Sequence, residues 1–248
     1  MDEEAGVFDN LGGSRIVKIL TALLSVMVIQ LVTGTATAGS DNIGLAYDEG
    51  VYDFGCVAEG YDFFHEFVIF NKGNDTVHID DIDVNCDCSS VTYEDTLLAP
   101  GDTLRVRLRF NTSDYYGYVN KTMKVISDDH FMPQMLMFYK ATVGQWSYAV
   151  NPRPTSLLFL PGQKSKTVIF PNPKLESVEY LITESDTDTF TASAHSSKVG
   201  KGEAIELEIT PKDNLPKGTY QDNFRVSFDV PESDKPLMIS IPIKIVRY

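Results

Sequence analysis

The chain has 248 residues, 43% hydrophobic and 23% charged, with a formal charge of -14 and a pI of about 4.6. That length suits one large or two ordinary domains, and the apolar fraction is enough to build a buried core. So acidic a chain excludes a general nucleic-acid surface and electrostatic adhesion to anionic lipid head groups.

The first segment reads as export machinery and not as fold. Arg15 and Lys18 precede the apolar run Ile19 to Val32, and Ala36-Thr37-Ala38 ahead of Gly39 fits a small-residue cleavage site. Charged flank, apolar stretch and small-residue exit describe a secretory signal peptide over residues 1–38, with cleavage between Ala38 and Gly39. The run is shorter than the ~18 apolar residues of a spanning helix. An uncleaved anchor is the alternative, because the acidic stretch "MDEEAGVFDN" lies ahead of the basic residues. The expected location is therefore periplasmic or at the cell envelope, where disulfides persist. With Cys56, Cys86 and Cys88 as the three cysteines, at least one has no partner within the chain.

From about residue 44 the pattern has period two. "FFHEFVIF" (Phe63 to Phe70) is apolar on both faces, as a central strand under a covering layer would be; "TVHIDDIDV" (Thr76 to Val84) alternates. "TLRVRLRF" sets Leu104, Val106, Leu108 and Phe110 against Arg105, Arg107 and Arg109, one face buried and one wet. Further strands are expected at Tyr118 to Ser127, Met135 to Val143, Thr167 to Phe170, Glu203 to Thr210, Tyr220 to Asp229 and Leu237 to Val246. Glycine- and proline-bearing breakers separate them, and Pro100-Gly101 suits the centre of a type II turn.

Many short strands with regular turn signals predict an all-β chain of two tandem immunoglobulin-like β-sandwiches. The tryptophan, Trp146, lies in the "GQWSYAVNPRP" connection, which sets the domains at 39–145 and 146–248, with Trp146 at the joint. A weak internal repeat supports the division: "APGDTLRVRLRF…GYVNKTMKVIS" is echoed by "GKGEAIELEIT…GTYQDNFRVSF".

In the first half, "YDFG" (Tyr52 to Gly55), "FVIFNKGN" (Phe67 to Asn74), Cys86-Asp87-Cys88, "APGD" (Ala99 to Asp102) and Gly117 follow one another in order. Residues of about 45–145 thereby resemble the bacterial domain-of-unknown-function family fifteen seventy-three, exported domains similar to the ASH and major-sperm-protein sandwiches. The family pattern is Cys-Gly-Cys followed by Thr; here Asp87 and Ser89 stand at those places. The resemblance implies a fold and no established activity.

Cys86 and Cys88 are the candidate chemistry. In an extended strand they share a face about 6.5 to 7 Å apart at Cα, too far for a bridge without a bulge. Cys56 paired with either is the better geometric prospect, with a loop entropy worth ~3–4 kcal/mol. The alternatives are a soft-metal site on the two thiolates, short of four ligands even with His65, His78, His130 and His195, and a thiol-redox role. Asp80, Asp81, Asp83 and Asp87 lack the glycine and closing glutamate of a calcium loop and read as a solvated face. Ser89 and Ser90 have no nucleophile elbow, and His65 in its aromatic strand reads as a core histidine.

The sequence thus predicts a non-enzymatic exported protein with no cofactor and no catalytic residue. It would be an interaction or scaffolding module for an envelope or surface protein, binding neither nucleic acid nor, beyond the signal segment, membrane. Strand addition at a sheet edge is the expected mode, with Met135 to Val143 the first edge to inspect and a core strand the competing reading. A periplasmic chaperone-like binder of envelope subunits and a metal or thiol-redox protein are the rivals.

Overall fold

A computed structural model describes residues 44–147, 150–172, 177–182, 187–194, 198–230 and 233–248. The expected signal segment and its Ala38–Gly39 junction, together with His195, lie outside the described residues. Among the described residues no helix is long and apolar enough to cross a membrane. The molecule is all-β, as the period-two pattern requires.

The first part of the chain builds β1 (Leu45–Tyr47), β2 (Val51–Val57), β3 (Asp62–Asn71), β4 (Val77–Asp83), β5 (Ser89–Thr92) and β6 (Leu97–Leu98). It continues through β7 (Thr103–Asn111), β8 (Gly117–Ser127) and β9 (Gln134–Val143). The second part gives β10 (Leu157–Phe159), β11 (Lys166–Pro171), β12 (Ser177–Ile182), β13 (Phe190–Ala194) and β14 (Lys198–Gly200). It closes with β15 (Ala204–Pro211), β16 (Gly218–Asp229) and β17 (Leu237–Arg247).

Alternation drives each strand into place. On β7, Leu104, Val106, Leu108 and Phe110 are buried, while Arg105 and Arg107 stand in water. The order β1-β3-β7-β5 forms one layer, and β2-β9-β8-β4-β6 forms the facing one. Phe54, Phe63, Phe67, Phe110, Met137 and Tyr139 fill the space between them. A second core, around Phe159, Phe170, Phe190, Phe224 and Phe228, lies between β11-β15-β13 and the β14-β12-β16-β17 run, with β10 against β17. Each fully buried side chain of this kind contributes about 1.5–3 kcal/mol relative to exposure.

The two runs join into one ten-stranded sheet because β2 pairs with β9 on one side and with β17 on the other. A register shift between Asp53 and Cys56 marks a bulge. It sends Phe54 into the first core and Cys56 into the second. Gly55 sits at the bulge with φ of 73°, and a Cβ there would stand 2.2 Å from the carbonyl oxygen of Met238. Only glycine combines that conformation with so close an approach of β17.

The turn at Pro100-Gly101 forms as expected: Asp102 N–H donates to the Ala99 carbonyl at 2.9 Å and Gly101 has φ of 89°. Met135 to Val143 is not an edge. Strand β9 lies between β2 and β8, so both sides of its backbone are paired, and its five consecutive apolar residues alternate between core and outer face.

Candidate functional site

The Cys-Asp-Cys segment lies in the turn between β4 and β5. Cys86 and Cys88 are bonded to each other, with Cα atoms 5.2 Å apart. This overturns the expected bridge from Cys56. The expectation assumed extended backbone; instead Asn85 adopts φ of 47° and the Ser89 N–H donates to the Cys86 carbonyl at 3.3 Å. The chain folds back on itself, and the two Cα atoms approach to within disulfide range. The bridge also occupies the two thiolates on which a soft-metal site would depend.

Beneath the bridge is a polar pair that the sequence did not disclose. Tyr139 is fully buried and donates its hydroxyl to Ser89 Oγ at 2.8 Å, and Cys86 Sγ lies 4.0 Å from the same hydroxyl. Burial raises the Tyr139 phenol above its ordinary range. The one available signal was a tyrosine among the apolar residues of β9. Cys88 Sγ lies 3.7 Å from Ser89 Oγ, and the Cys88 carbonyl accepts from the Asn111 N–H at 2.8 Å. Asp87 is exposed at the tip, and both cysteines are half-buried.

Cys56 is remote from this chemistry. It is buried against the second core, its Sγ 4.0 Å from Ser147 Oγ, and burial pushes its thiol up. The acids of β4 do not converge either: Asp80 pairs with His78 at 2.9 Å, and Asp83 accepts from the Asn85 N–H at 2.9 Å. Among the described residues no group of three His, Cys, Asp or Glu side chains is placed to hold a metal ion.

The joint between the two cores is the second polar assembly. Asn223 is buried on β16 and accepts the Phe64 N–H at 2.6 Å, while Ser240 donates to the Phe54 carbonyl at 2.6 Å. Arg225 donates to the Asp53 carbonyl at 3.1 Å and lies 4.5 Å from the centre of the Tyr52 ring. Tyr52 stacks on His65 at 3.5 Å, and Glu49 Oε1 lies 2.5 Å from His65 Nε2. His65 is thus a joint-and-core residue, held between an aromatic ring and a carboxylate. Trp146 packs half-buried on the second core.

Two clefts flank this joint, of about 340 and 310 Å³, and both include Phe64 and Gln221. Arg107 and Lys244 line them, with Asp62 opposing. The Arg107 guanidinium is committed to the Gln221 carbonyl at 2.6 Å and to the Phe64 ring. Arg107, a cation that a carboxylate-holding cleft could use, is thus shared with protein acceptors.

The sheet edges form the third feature. Strand β11 carries Lys166 and Pro171 and is bridged by Arg153. Strand β13, at the other end of the same sheet, reads Phe-Thr-Ala-Ser-Ala, with no charge and no proline.

Residues 45–143 match the family described as Protein of unknown function (DUF1573). The resemblance expected over about residues 45–145 is borne out by this match, on a segment that folds as a two-layered β-sandwich. No curated protein matches the chain. Among solved structures, the chain is similar to the VesB protease of Vibrio cholerae at 13% identity, TM-score 0.34, over 41% of this chain and 32% of that one. The chain therefore spans about a third of that protein's length. It is similar to the ASH/PapD-like domain 7 of human CEP192 at 10% identity, TM-score 0.33, over 42% and 87% of the two chains. It is similar to the periplasmic chaperone SfaE at 11% identity, TM-score 0.33, over 82% and 100%.

Proposed function

We propose that the chain is a non-enzymatic, exported protein-protein interaction module whose two cores correspond to domains 39–145 and 146–248. Its partner, an envelope or surface protein, supplies an extended segment that adds to the outer side of β13. The observation that carries this reading is the composition of that edge. Natural sheets blunt their edges with charge, proline or covering elements, and the opposite edge of this sheet, β11, has all three. Strand β13 has neither charge nor proline along five residues. A strand laid beside it would gain main-chain hydrogen bonds for affinity and alternate side-chain contacts for specificity. Export is supported by the sequence of residues 1–38 and by a disulfide of the kind an oxidising compartment preserves.

Photo-crosslinking in intact cells tests the site. A crosslinker at Ser193, exposed on β13, should capture one recurrent partner, and the same probe at Leu136 on β9 should not. Ala192→Pro, which removes a main-chain donor from the edge, should abolish capture while the melting transition of the second core persists. Equal capture at both positions, or capture indifferent to Ala192→Pro, would reject strand addition at β13.

A further inference from the structure

The Cys86–Cys88 bridge closes a loop already closed by other means. The Ser89 N–H holds the Cys86 carbonyl, the Asn111 N–H holds the Cys88 carbonyl, and the Tyr139 hydroxyl anchors Ser89. Strand β5 is further tied to β7 from Ser89 to Thr92. Loop-closure entropy grows with loop length, so a bridge between residues two apart stabilises the fold least of all. A bond that does little for the fold, set half-exposed in a turn, is open to chemistry at small structural cost.

We propose that Cys86–Cys88 is a thiol–disulfide exchange site that accepts two electrons from a dithiol-bearing peptide or protein. This role is independent of the β13 reading, since the turn belongs to the first core and β13 to the second. The incoming thiolate attacks Cys88 Sγ and forms a mixed disulfide; the Cys86–Cys88 bond breaks, and Cys86 leaves as the thiolate. The Tyr139 hydroxyl, 4.0 Å from Cys86 Sγ, can turn from Ser89 Oγ to donate to that thiolate. The second thiolate of the dithiol then attacks the mixed disulfide at its own sulfur and expels Cys88. The dithiol ends oxidised to a disulfide, Cys86 and Cys88 end as thiols, and two protons pass from the one pair to the other. Cys56 takes no part, because it is buried in the other core with its thiol held protonated.

The experiment is equilibration of the full chain with graded dithiothreitol, without denaturant, followed by alkylation and mass counting beside circular dichroism. Two thiols should appear together, on Cys86 and Cys88, while the β signal is unchanged. Tyr139→Phe should slow the reduction about tenfold, the loss of one hydrogen bond to a charged group. Cys86→Ser should retain glutathione on Cys88 after exposure to glutathione disulfide. Reduction only on unfolding would overturn the proposal, as would a Cys86/Cys88 pair that no disulfide reagent oxidises in the folded chain. If Tyr139→Phe leaves the rate unchanged, the assignment of Cys86 as leaving group falls.

Discussion

Before β7, the backbone of Asn71 accepts from the Gly101 N–H at 2.8 Å and donates to the Asp102 carbonyl at 2.9 Å. Before β15, Asn172 accepts from Gly202 at 2.7 Å and donates to Glu203 at 3.0 Å. The acids repeat too: Asp102 accepts the Ala99 N–H at 2.9 Å and Glu203 the Gly200 N–H at 2.7 Å. The order β3-β7-β5 recurs as β11-β15-β13, and the parallel pairing of β2 with β9 recurs as that of β10 with β17. Against this shared frame the differences stand out. In the first half a disulfide sits where the chain enters β5; the corresponding strand of the second half, β13, ends its sheet among the described residues and carries neither charge nor proline, with Thr187 bonded to Phe190 at its start. The frame is set by buried asparagines and tight turns, and function is free to diverge at the equivalent strands.

The seam between the halves gives the largest expected effect. Gly55→Ala puts a methyl group against the Met238 carbonyl in a backbone conformation that L-residues avoid. Overpacking and the left-handed conformation together should cost about 3 kcal/mol. The loss should appear in urea unfolding as a split into two transitions, since the wedge parts β2 from β17 while each core keeps its own contacts. A single transition with an unchanged midpoint would show that the seam contributes nothing to cooperativity.

Asn71→Ala and Asn172→Ala then ask whether the repeated loop does the same work twice. Asn71 Nδ2 donates to the Asp75 and Leu98 carbonyls at 2.8 Å, and Asn172 Nδ2 donates to the Gly200 carbonyl at 3.0 Å. Asn71→Ala strips a donor from the buried Leu98 carbonyl, and Asn172→Ala strips one from the half-buried Gly200 carbonyl, which keeps the Glu203 N–H at 3.3 Å; each loss should cost about 1–3 kcal/mol. The two losses should fall in the same range by chemical denaturation. A loss confined to one variant would mean that the likeness is geometric and not energetic.

Much of this frame was legible. Long alternating strands such as β7 and β15 announce themselves because each buries one whole face, and Pro100-Gly101 specified its turn locally. Of the strands that the pattern did not reveal, β1, β5, β6, β10 and β14 run only two to four residues, too short for a period to show, while β12 and β13, of six and five residues, carry no clean apolar alternation. Strand β2 was hidden by its own bulge, since Phe54 and Cys56 serve different cores. The cysteine pairing was misjudged for a related reason. The distance between Cys86 and Cys88 depends on the φ of Asn85, a property of the turn that residue spacing does not encode. The end position of β13 becomes visible only once strand order is known, because guarding is a property of position in a sheet.

The smallest expected effect contrasts the cores through proton release. Each holds one raised acid: Tyr139 in the first and Cys56 in the second, both raised chiefly by burial. Below pH 9.0, the ordinary thiol value, folded and unfolded chains both keep these protons and neither group affects stability. As pH rises past 9.0 and then 10.0, the unfolded chain releases first the thiol and then the phenol, while the folded chain still holds both. The unfolded state therefore gains, and stability falls with rising pH through that window. Cys56→Ser should remove the earlier part of the decline and Tyr139→Phe the later part. Melting temperatures measured from pH 8 to 11 would show this, and a decline identical in all three chains would place the titrating groups elsewhere.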